Sequence, residues 1–109
     1  MIQSFGPIKR GQDKKIHVQA MKEALKAFPL SEDTQKRILN KYDWYLSMQI
    51  LFYSKELRES SRMARTCHIA KVDYLQALDS AFSDKKITIT HWKNAGLAME
   101  TVFQQGLSR

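Results

Sequence analysis

Four cations pose the first chemical question. Lys55, Arg58, Arg62 and Arg65 follow one another at steps of 3, 4 and 3, the spacing that gathers side chains on one face of an α-helix, and Lys71 lies just beyond them. Such a row suits a phosphate backbone, because a guanidinium fork grips two phosphate oxygens and sheds water more readily than an ammonium. Glu56 and Glu59 fall within helical pairing distance, and if they pair with the row it becomes an ordinary solvated face. Residues 55–71 still hold 5 basic side chains against 2 acidic ones. Lys9, Arg10, Lys14 and Lys15 make a second basic segment, an auxiliary arm for the same ligand.

Other chemistries find little support. His17, His68 and His91 sit in three separate segments, none at metal-ligand spacing with another His or Cys, so no metal or cofactor is expected. Cys67 and His68 are adjacent, and in extended chain their side chains diverge, out of reach as a nucleophile and its base. No phosphate-binding glycine loop, paired catalytic carboxylates or nucleophile elbow is present, so the chain reads as a non-enzyme. Between Asp79 and Thr90 a calcium loop would need carboxylates where Lys85 and Lys86 stand. A helix-turn-helix at His91–Val102, with its turn at Gly96, would place the bulky Trp92 where crossing helices need a small residue. A single helix with an internal glycine is the better reading.

The aromatics Tyr42, Trp44, Tyr45, Phe52 and Tyr53 are able to stack on bases, yet they carry no interleaved cations. Core or subunit contact fits them better. Trp44, off the main apolar line, marks a partner surface together with Tyr45 and Phe52.

The elements that must position these residues belong to one domain. The chain has 109 residues, 43% of them hydrophobic, with 4 Gly, 2 Pro and a net charge of +7. That is enough for a single core, and the charge favours a polyanionic partner. A lone cysteine, Cys67, forms no internal disulfide, which fits a reducing cytoplasm. No apolar run approaches the ~20 residues of a membrane helix, and Met1–Pro7 lacks the features of a signal peptide.

Residues 1–13 read as an irregular basic arm and 14–109 as a helical domain. Val18, Met21, Leu25 and Phe28 give a first helix from Lys14 that Pro29 ends. Ser31 caps the next, with Glu32 and Asp33 in its first turn. From Thr34 to Ala64 no Gly or Pro intervenes and Leu39, Tyr42, Leu46, Ile50, Tyr53 and Leu57 keep the helical period, so one long central helix is expected, apolar almost all round at its middle. A link at Arg65–Ile69 precedes a third helix over 71–82. Ile87–Thr90 reads as a scrap of extended chain before a fourth helix capped by Thr90 and ended by Gly106, and Ile69–Val72 and Ile89–Trp92, each an isoleucine just ahead of a helix, are able to pair as a two-strand bridge.

Short helix, capped loop, long helix, short basic loop and short helix, in that order over residues 16–82, resembles the histone fold. Arg65-Thr66-Cys67-His68-Ile69-Ala70-Lys71-Val72-Asp73-Tyr74-Leu75-Gln76-Ala77-Leu78 is similar to that family's second loop and last helix, and Ser31-Glu32-Asp33 to the start of its central helix. The resemblance implies an intertwined dimer that binds duplex DNA through paired loops, with Arg65 and Thr66 at the phosphates.

The expectation is therefore an all-α, four-helix domain around a long central helix, self-associating, that binds nucleic acid, DNA rather than RNA, without catalysis. The alternative is a helical adaptor that docks another protein through Trp44 and its neighbours, its positive charge serving solubility.

Overall fold

Capping and breaking residues set where each helix starts and stops. The computed structural model describes residues 11–52 and 61–107, and these form four helices: α1 (Gly11–Leu25), α2 (Glu32–Phe52), α3 (Ser61–Phe82) and α4 (Ile89–Leu107). The arm was expected to reach residue 13, but α1 already begins at Gly11. Residues 1–10, with Lys9 and Arg10, and 53–60, with Lys55 and Arg58, lie outside the described residues. At its far end α1 stops three residues short of Phe28. The chain there tightens through bonds from Ala27 N to Ala24 O and Phe28 N to Leu25 O, ahead of Pro29. Ser31 caps α2 as expected, its Oγ accepting from Thr34 N at 3.2 Å.

The single rod expected over 34–64 does not form. Instead α2 ends at Phe52, α3 opens at Ser61, and the two helices pack against each other. Lys41 meets Asp73 at 2.7 Å and the Tyr42 ring lies 4.8 Å from that of Tyr74. Burial accompanies the fold-back: Ala70, Tyr74, Ala77 and Ala81 of α3 enter the core. The expected link at Arg65–Ile69 is consequently helical.

Ile69–Val72 and Ile89–Trp92 both lie inside helices, so the strand pairing suggested for them is absent, and no strand occurs among the described residues. Thr88, not Thr90, caps α4. Its Oγ1 accepts from His91 N at 3.2 Å while its own amide donates to His91 Nδ1 at 3.1 Å, a reciprocal box with histidine in the usual Glu position. As expected, α4 then runs unbroken through Gly96, ending at Leu107.

The centre of the molecule is α1. Its Met21 and Leu25 pack with Ile38 of α2 and with Tyr74, Ala77 and Ala81 of α3. On its other flank Ala20 and Ala24 pack with Ala95 and Met99 of α4. Alanines there let the helix axes approach closely, and no backbone of α4 comes near α2 or α3. The two clusters meet where the rings of Phe28, Phe82 and Trp92 stand 4.9 to 5.9 Å apart. Lys14, counted with the arm by sequence, lies within α1 and donates to Asp43 at 3.1 Å and Ser47 at 3.2 Å. The outcome is a slab of 43 × 35 × 21 Å.

Candidate functional site: a groove between α2 and α3

Folding α3 back along α2 leaves a groove on their outer side. Trp44 of α2 and His68, Ile69, Val72, Asp73 and Gln76 of α3 line it, an open hollow of about 500 Å³. The helical period places 69, 72, 73 and 76 on one face of α3. Ile69 is 53% exposed and Trp44 39%, unusual for large apolar side chains that stand together. Leu51, two turns beyond Trp44 on the same line of α2, is exposed as well.

The groove is rimmed by charge. Arg65 lies one turn before Ile69 on α3 and Arg62 two turns before it; Lys71 projects from the other side of the helix, away from the groove face. All three are exposed, and among the described residues no carboxylate forms an ion pair with any of them. Asp73 is the one carboxylate in the lining, and Lys41 holds it. Thr66 stands beside Arg65 within the helix, where its hydroxyl donates to the Arg62 carbonyl at 3.0 Å.

Behind the groove lies a tyrosine layer. Tyr45, expected at a partner surface, stacks on Tyr74 with ring centroids 6.0 Å apart and planes at 10°, and accepts a hydrogen bond from Gln49 Nε2. Phe52 is half-buried at the end of α2. Leu46, in the apolar middle offered as a subunit contact, is buried within the chain. Burial pushes Tyr42 up to about 12, with Tyr45 adding to the effect, and raises Tyr74 for the same reasons. These hydroxyls stay protonated and neutral.

Burial also raises the Cys67 thiol, partly offset by Lys71, so the thiolate that a nucleophile requires is disfavoured. Among the described residues no group of three His, Cys, Asp or Glu is placed to hold a metal ion. None of the described helices is long and apolar enough to cross a membrane.

Of the residues singled out by sequence, the fold brings Trp44 together with the helix that carries Arg62, Arg65 and Lys71. Ile69 and Val72 were missed. A link was expected to end at Ile69, and only a helix running through 65–72 puts both residues on the face that Arg62 and Arg65 lead into. No protein-family model, curated protein or solved structure matches the chain.

Proposed function

We propose that this chain is a non-catalytic docking module that receives another protein in the groove between α2 and α3. One observation carries the reading: an exposed tryptophan, Trp44, stands across the groove from the exposed Ile69 and Val72. Aromatic and aliphatic anchors of this kind dominate the energetics of protein interfaces. The test places a photo-crosslinking amino acid at Val72 and compares adducts, in nuclease-treated extract, with those of the same protein carrying Trp44→Ala. A discrete protein adduct that weakens with Trp44→Ala supports the reading. Adducts indifferent to that change overturn it.

Nucleic-acid binding is the second reading, and a specific feature favours it: Arg62, Arg65 and Lys71 are exposed and free of ion pairs among the described residues. Its original premise was four cations on one continuous rod, and that rod is divided. What supports it now is the short cationic run of α3, to which Lys55, Arg58, Lys9 and Arg10 would add from outside the described residues. Binding of duplex DNA is then expected to weaken steeply with salt and further with Arg62→Glu/Arg65→Glu, a loss of about tenfold or more. Salt-independent binding, or none at low salt, rules it out.

A further inference from the structure

We infer that the occupant of the Trp44 groove is an acidic amphipathic helix of another protein, an assignment that rests on the docking reading above. The spacing of the apolar floor comes first. Trp44 and the exposed Leu51 are seven residues apart on one line of α2, about 10 Å at 1.5 Å per residue, and Ile69 and Val72 stand across the groove from Trp44 on α3. A partner helix repeats its anchors over the same distance, at positions i, i+3 or i+4, and i+7.

Charge then selects among helices. Arg62 and Arg65 continue the groove face of α3 without carboxylate partners among the described residues, and the single acidic side chain in the lining, Asp73, is already matched by Lys41. A helix with Glu or Asp flanking its apolar face supplies what this rim lacks. A second copy of the chain, by contrast, arrives with its own net charge of +7, which opposes the approach of two basic surfaces. Nucleic acid satisfies the cations, but a duplex brings no row of apolar groups to cover Ile69 and Val72.

The probe is a synthetic helix of about 18 residues with leucines at i, i+4, i+7 and i+11 and glutamates on both flanks. Two control peptides replace every glutamate by lysine or by glutamine. The full-length protein carries Trp92→Phe, which leaves Trp44 as its one indole. The glutamate peptide is expected to bind saturably and shift Trp44 emission to shorter wavelength, with affinity falling as salt is raised. Affinity should drop about tenfold or more with Ile69→Asp, with Arg62→Glu/Arg65→Glu, and on changing to the lysine peptide. Far-UV circular dichroism verifies folding of each variant, and the arginine variant keeps the test decisive should Ile69→Asp fail to fold.

Equal binding of the lysine or glutamine peptide, still sensitive to Ile69→Asp, overturns the acidic assignment while leaving the docking reading intact. Binding indifferent to Ile69→Asp overturns the groove as the site, and with it both proposals. A peptide-free dimer in sedimentation that Ile69→Asp abolishes assigns the groove to a second copy instead. Tighter, Ile69-dependent binding of an oligonucleotide, read by the same emission shift, assigns it to nucleic acid.

Discussion

Lys41 of α2 donates from its Nζ to Asp73 Oδ2 of α3 across 2.7 Å, at the edge of the groove. Both side chains are partly exposed, so the pair contributes at most about 1 kcal/mol to stability. Its larger consequence is electrostatic, since it neutralises the one carboxylate of the lining. Asp73→Asn is therefore expected to change the denaturation midpoint little. In the same variant the freed ammonium should tighten binding of the glutamate peptide by about two- to fivefold at low salt. Titration calorimetry of both proteins checks this, and weaker binding by the variant contradicts it.

The two glycines of α4 should respond in opposite ways to a methyl group. A Cβ at Gly96 meets nothing within 4 Å, whereas one at Gly106 lies 3.1 Å from Ile16 Cδ1. Gly96→Ala relieves the entropic penalty of glycine inside a helix and should stabilise the protein by about 0.5–1 kcal/mol. For Gly106→Ala that gain is offset by crowding of the new methyl against Ile16 of α1. Urea titrations of the two variants should separate them.

Acid should weaken the α1–α4 contact through His17. Its ring packs edge-on against Phe103 at 5.0 Å, and burial holds its pKa below the ordinary 6.5, with Asp13 partly restoring it. The folded state thus disfavours the proton. Stability is full above the unfolded value and declines as pH falls from about 6.5 through the lowered folded value. At the alkaline end the sign reverses. Tyr42, raised from 10.0 to about 12, contributes stability below its unfolded value that is lost as pH climbs through the folded one. Denaturant midpoints across the two windows measure both effects, and His17→Phe should flatten the acid limb.

Removing the ring that joins the two halves of the core should come close to unfolding the chain. Phe28 is buried against Phe82 and Trp92, and Phe28→Ala is expected to cost about 3–5 kcal/mol, a large share of the total stability of a small domain. The exposed Ile69→Asp should stay within about 0.5 kcal/mol of the parent. Thermal melts rank the two; a larger loss for Ile69→Asp would mean that the groove is part of the core.

Much of the helical content was legible in local signals. Ser31 marks the start of α2 because its effect acts within a turn, Pro29 lies in the connection that follows the end of α1 at Leu25, and Gly96 was tolerated because one helix runs past it. The break between Phe52 and Ser61 carried no such signal. Leu46, Ile50, Tyr53 and Leu57 keep the helical period straight through it, and the fold-back goes with burial of Tyr74 and the alanines of α3, which periodicity weighs lightly. Ala20 and Ala24 were overlooked for the same reason: close packing selects small residues there, whereas a search for apolar stripes looks for large ones. The groove depended on that missed reversal. Trp44 stood out from its own sequence neighbourhood, but Ile69 and Val72 face it only once α3 lies along α2.

The central position of α1 also shapes how the protein is made. Ala20 and Ala24 leave the ribosome well ahead of the Ala95 and Met99 that cover them, which lie 75 residues further along the chain. Until then the nascent chain carries a bare alanine flank beside a half-assembled core, so closing this flank waits for α4. Slowing translation ahead of α4 would lengthen that interval and invite promiscuous sticking.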